Sequence, residues 1–190
     1  MRARQDGHHD RRLASVSAFA HRWHRGVWAA SLLPSELGVG LVWQDGAVDV
    51  LGAARCSGVI ALSGLVRDTP LYTPTLLHEA AHVLLRHDFG LCSDGWLVAR
   101  AERQAWLGSA LLGIPRGIAA RVIDGQSTIT SAAVTMGVPS ELVALRVALE
   151  LRQSVDEQLA ALDAWIRAAR HQAIASARID ARREALAIWG

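Results

Sequence analysis

The chain has 190 residues, 51% of them apolar, and a formal charge of only +2. This composition excludes a largely disordered chain and leaves room for one domain with a sizeable core plus an appendage. The small charge gives no electrostatic ground for binding nucleic acid or a membrane surface.

Residues 1–12 are polar, lack the apolar stretch of a signal peptide, and are expected as a disordered N-terminal tail, so His8 and His9 are discounted as ligands. Leu13, Val16, Phe19, Ala20, Trp23, Val27 and Ala30 recur at helical spacing and predict a first helix from Leu13 to Leu33. Pro34-Ser35-Glu36 breaks it or starts a short turn. Gly38 to Trp43 and Ala47 to Leu51 flank Gln44-Asp45-Gly46, the turn signal of a hairpin, and Val59-Ile60-Ala61-Leu62 reads as a third strand. Together they predict a small three-stranded antiparallel sheet.

His78-Glu79-Ala80-Ala81-His82 follows, within an apolar stretch opened by Pro74-Thr75 and closed by Asp88-Phe89-Gly90. On a helix, residues four apart share a face, so both imidazoles can reach one metal ion. Glu79 lies about 100° around the helix, where it can address a water on that ion rather than the ion itself. This is the H-E-x-x-H arrangement of zinc peptidases, with the glutamate as general base. A catalytic zinc needs a third protein ligand, and the donors at hand are Glu102, Cys92, Asp88, Asp94 and His87. Glu102 is best placed, because Glu102 to Leu112 has helical periodicity and can pack against the motif helix. Tyr72 and His87 are the side chains available to help stabilise an oxyanion.

Beyond Ile114-Pro115, short helices are expected over Gly117 to Ile123 and Thr130 to Met136. Ser140, as N-cap, opens a long helix without Pro or Gly as far as Trp189. Along it Val155, Leu159, Leu162, Ile166, Ala169 and Ala173 form a coiled-coil-like stripe, able to pack on the domain or to pair two chains as a homodimer. Ile129 to Leu149 mimics a helix-turn-helix, but its sparse basic residues make direct nucleic-acid binding weak. The seven tryptophans should mostly anchor core or interface. Cys56 and Cys92 match no metal or redox spacing and read as reduced thiols of a cytoplasmic protein. No apolar run approaches the roughly 18 residues of a membrane span.

Across about Gly38 to Leu149 the sequence resembles the ImmA/IrrE group of HExxH metallopeptidases. The resemblance lies in Val59-Ile60-Ala61-Leu62-Ser63, Thr75 to Leu85 around the motif, and Ala101-Glu102-Arg103-Gln104-Ala105. It continues through Leu111-Leu112-Gly113-Ile114-Pro115 and Met136 to Arg146. It implies an α+β, mainly helical, zincin-like domain over residues 13–150, with a helical extension over 151–190. It also implies Zn²⁺ held by His78, His82 and Glu102, Glu79 as general base, and a helix-turn-helix repressor as protein substrate. A relative with weakened catalysis would instead bind such a partner without cutting it. The chain departs from the family pattern at Ala81, where a glycine is usual, at Trp106, where Asn or Asp is common, and at Arg86, where a histidine is frequent.

Overall fold

A computed structural model describes residues 3–25, 29–45, 50–55, 58–87 and 95–189. The fold is α+β, mostly helical with one small mixed sheet. Helix α1 (Ala3–Trp23) starts inside the segment expected as a tail and ends well short of Leu33. Val16, Ala20 and Trp23 are its buried positions, one stripe of a 3.6-residue period. A helical turn at Ala30–Leu32 leads into α2 (Leu33–Glu36), where Pro34 sits in the first turn and so costs no hydrogen bond.

The sheet corrects the antiparallel expectation. Strands β1 (Gly40–Gln44), β2 (Gly52–Arg55) and β3 (Val59–Ser63) lie in the order β1-β3-β2. β1 runs parallel to β3, with Gly40 opposite Val59 and Gln44 opposite Ser63, and only β2 is antiparallel to it. The physical reason is burial. Ile60, Ala61, Leu62 and Ser63 are buried in succession, whereas β1 alternates between exposed and half-buried positions. A strand covered on both faces takes the centre of a sheet. It therefore separates β1 from β2, which begins at Gly52, after the Ala47 to Leu51 strand expected; residues 46–49 lie outside what the structure describes. β2 is left on the edge that faces the motif helix.

Helix α3 (Tyr72–Leu85) carries that motif through the middle of the molecule. Leu76, Leu77, Ala80, Ala81 and Leu85 are essentially fully buried, and each leucine contributes about 1.5–3 kcal/mol by leaving water. Helix α4 (Gly95–Gly113) packs along α3 with two glycines at the contact. A Cβ on Gly108 would lie 2.8 Å from the Ala81 methyl, and one on Gly113 would lie 2.6 Å from Leu77 Cδ1. The two helices approach this closely only because both positions lack a side chain.

Of helices α5 (Arg116–Ile123), α6 (Ile129–Met136) and α7 (Ser140–Glu150), α7 packs against α4, and α5 and α6 pack against α7. Pro139, not Ser140, holds the N-cap position of α7, and Thr128 caps α6 by accepting from the Ser131 N–H at 3.0 Å. The face of α7 carrying Leu142, Val143, Leu145, Arg146 and Ala148 is buried. The Arg146 guanidinium is engaged by Ile114 O and Glu150, so it offers nothing to a phosphate.

The stretch read as a single helix from Ser140 is two. The chain breaks after Glu150, with Arg152 at φ +54° and the Gln153 N–H bonded back to Ala148 O. It restarts as α8 (Asp156–Trp189), with Asp156 and Glu157 at the positive end of its dipole. The apolar stripe of α8 is used within the chain. Val155 and Leu162 are buried, and Leu159, Ile166, Ala169 and Ala173 pack against the same core. Trp23 is a core anchor, while Trp96 is exposed beneath the Arg100 guanidinium. Cys56, Cys92, Trp28, Asp88 and Asp94, and the side chain of Trp189, lie outside what the structure describes. No single helix among the described residues is long and apolar enough to cross a membrane.

Candidate metal centre

Helix α3 presents His78 and His82 one turn apart on the face turned to α4, with ring centroids 4.6 Å apart. Opposite them is Glu102. It lies two turns inside α4, which begins at Gly95 rather than at the glutamate. His78 Nε2 lies 3.0 Å from Glu102 Oε2 and 2.9 Å from His82 Nε2, and His82 Nε2 lies 3.5 Å from Glu102 Oε1. The three potential ligand atoms all lie within 4.8 Å of one another.

Three donors this close, two imidazoles and a carboxylate, repel through their lone pairs unless protons or a cation lie between them. Both histidines are buried, and Glu102 is half-exposed. Burial opposes charge on Glu102, but hydrogen bonds and charge from His78 and His82 outweigh it and hold the carboxyl well below the usual range. Glu102 is therefore an anion at neutral pH, as a ligand must be. With a metal in place of the hydrogens between them, two imidazole nitrogens and one anionic oxygen from this helix pair can form its ligand set.

Glu79 points elsewhere. It is buried and accepts from the Ala54 N–H of β2. Burial pushes its carboxyl up to about 7, against the pull of His82 and the Ala54 N–H, while the nearby Glu102 charge adds to the rise. A cation between His78 and His82 would pull it down again. The edge strand approaches this carboxylate closely: a Cβ on Gly52 would lie 2.8 Å from Glu79 Cγ and 3.0 Å from Oε1.

These residues line a cleft of about 420 Å³ whose other walls are apolar: Val50 and Leu51 leading into β2, Leu71 and Pro74 around the start of α3, Trp106 on α4 and Ile166 on α8. The cleft brings His78, Glu79, His82 and Glu102 together. It does not include Tyr72, which stacks on Trp43 with centroids 6.0 Å apart, away from the cluster. Nor is His87 a donor into the cleft or a ligand. Its Nδ1 lies 2.9 Å from His82 Nδ1, and its Nε2 lies 3.2 Å from Gln104 Oε1. Burial first, and then His82, lower the His87 pKa to about 4.

Sequence reasoning did not single out Gly52, Gln104 or Ile166 for this site. Gln104 alone had a local signal, two residues beyond Glu102 on the same helix. No family model matches the chain, and no curated protein is significantly similar to it.

Proposed function

We propose that this chain is a zinc-dependent endopeptidase with a zincin-like fold, of the ImmA/IrrE kind that its sequence resembles. One observation carries the reading: the nitrogens of His78 and His82 and a Glu102 oxygen converge within 4.8 Å, with Glu79 on the same cleft. Two imidazoles and one carboxylate are a catalytic zinc set that leaves a position for water or substrate.

A bound divalent cation would supply the Lewis acidity that lowers a water's pKa and takes up the negative charge formed at the scissile carbonyl. The protein supplies the rest. Glu79 removes the proton from the attacking water and passes it to the departing amine. Its accessible register is set by β2 through the Ala54 N–H and the close approach of Gly52. The apolar walls of the cleft exclude competing water and accept apolar side chains next to the cut. By the resemblance, the substrate is a helix-turn-helix repressor.

Elemental analysis of protein purified without added metal tests the centre. About one zinc per chain, lost in Glu102→Ala, is the expected result. No metal even after zinc is supplied would overturn it. Glu79→Gln should keep the metal and abolish cleavage of the repressor.

A second reading, a metallopeptidase-like regulator that binds its partner without cutting it, is favoured by one feature: His78 Nδ1 is buried with no hydrogen-bond partner among the described residues. Regulation that survives Glu79→Gln would select that reading.

A further inference from the structure

The way the chain leaves α3 decides what lies behind the second histidine. Arg86 is left-handed at φ +53°. Its N–H bonds Val83 O at 3.1 Å, and the His87 N–H bonds His82 O at 3.1 Å. This pair of bonds is the Schellman pattern of a helix end. In a continued helix residue 86 would lie near the face of His82, and residue 87 would be turned about 140° from it. Because the helix reverses at Arg86, it is His87 whose ring returns to His82, with centroids 5.0 Å apart at 68°.

With the Gln104 oxygen turned to His87, these hydrogen bonds take one order. Gln104 Oε1 can only accept, so His87 Nε2 carries a hydrogen. The two Nδ1 atoms, 2.9 Å apart, share a single proton. A neutral His87 with hydrogen on Nε2 presents a lone pair at Nδ1, and His82 Nδ1–H donates to it. Once a metal replaces the hydrogen between His82 and Glu102, that tautomer leaves the His82 lone pair on Nε2, the atom that faces His78 and Glu102.

We propose that His87 and Gln104 form a positioning relay that fixes the tautomer and ring angle of His82, and so determine the affinity of the centre for its metal. The proposal rests on reading His78, His82 and Glu102 as a metal site. Helix α4 contributes to both layers, Glu102 to the ion and Gln104 to the relay. Outer partners of ligating histidines generally act in this way, by holding the imidazole in its ligating tautomer.

The test is zinc affinity of the full-length metal-free protein, measured by competition with a chromophoric chelator, alongside the visible spectrum after Co²⁺ loading. His87→Ala should weaken zinc by about 10–100-fold and shift the cobalt bands, with the metal-free unfolding midpoint close to wild type. Gln104→Ala should weaken it by about tenfold, and Gln104→Glu, which keeps an accepting oxygen, should restore it. Arg86→Gly, which keeps the left-handed turn, should leave affinity intact.

Wild-type affinity and spectrum in His87→Ala would overturn the relay while leaving the metal site standing. If His87→Ala does not fold, the Gln104 pair decides: loss in Gln104→Ala with rescue by Gln104→Glu supports the relay, and no loss in Gln104→Ala, or no rescue, overturns it. Failure of the wild-type protein to bind zinc, with Glu102→Ala no different, would overturn the metal-site reading and the relay together.

Discussion

The indole of Trp106 lies tilted against the His78 imidazole, with ring centroids 4.1 Å apart. It stands one turn after Glu102 on α4, on the same face as that carboxylate. His78 Nδ1 is buried without a hydrogen-bond partner among the described residues, so on that side of the ring Trp106 packs where His82 has a hydrogen bond. The outer supports of the two histidines therefore differ, a hydrogen bond to His87 at His82 Nδ1 and aromatic packing by Trp106 on His78.

It follows that Trp106→Phe, which keeps a ring against His78, should bind zinc nearly as wild type does. Trp106→Ala should lose about tenfold in affinity, as when an outer partner of a ligand is removed. Trp106 is also in position to report the metal, so the tryptophan emission change on zinc addition should diminish in the Phe variant. Chelator competition and fluorescence titration check both expectations. Unchanged affinity in Trp106→Ala would remove Trp106 from the list of ligand supports.

Ala81 faces Gly108 across the α3–α4 contact, where a Cβ on Gly108 would lie 2.8 Å from the Ala81 methyl. Gly108→Ala should overpack the α3–α4 contact at a cost of about 1–3 kcal/mol. About 1 kcal/mol of that is offset by the better helix propensity of alanine. Zinc affinity should fall as well, since Glu102 moves with α4. Adding Ala81→Gly to Gly108→Ala removes the opposing methyl and should recover both the unfolding midpoint and the metal, a double-mutant cycle with favourable coupling. Additive losses would mean that the two residues do not exchange space.

How much of this was readable beforehand depended on distance along the chain. The His78/His82 pair was legible because an i, i+4 relation is purely local, and Glu102 because helical periodicity put it where a third donor was needed. Pairing of β1 with β3 was not legible, since the turn at Asp45-Gly46 speaks only for its neighbours and burial of β3 overrides it. The break between α7 and α8 was hidden because Arg152, not a glycine, takes the left-handed conformation there. Arg86 hides the end of α3 in the same way, and with it the return of His87. Gly52 could not be read at all: its φ is unremarkable, and its role exists only because β2 meets α3.

His24 gives the fold a pH dependence separate from the metal centre. Its Nε2–H donates to Leu112 O at 2.7 Å. Burial lowers its pKa from 6.5, the Leu112 carbonyl opposes that shift, and the Arg146 and His21 charges add to it. A histidine with its folded pKa below its unfolded value contributes full stability above the unfolded pKa. That contribution is lost as pH falls from there toward the folded value. Unfolding free energy should therefore decline below about pH 6.5. His24→Gln should flatten part of the decline, and proton NMR should find the His24 midpoint below that of a free imidazole. A midpoint at or above the free value would reverse the sign.

On the proposed peptidase function, with Glu79 as general base, Gly52 provides the sharpest separation of catalysis from metal binding. A Cβ there would meet Glu79 Cγ at 2.8 Å, Thr75 Cγ2 at 2.9 Å and Glu79 Oε1 at 3.0 Å, so the Thr75 and Glu79 side chains must shift to admit it. Alanine suits an edge strand at least as well as glycine does, so Gly52→Ala should fold normally. What must give way is Glu79 together with Thr75, whereas no atom of His78, His82 or Glu102 is among the three nearest to the added carbon. A general base displaced by a fraction of an ångström to one ångström loses its alignment with the attacking water, and such misplacement costs about 10²-fold in rate. Gly52→Ala should therefore retain its zinc, by elemental analysis, and lose most of kcat for repressor cleavage with KM little changed. Loss of zinc together with activity would put Gly52 among the supports of the metal site instead. Full activity would show that Glu79 works from a position other than the one β2 imposes.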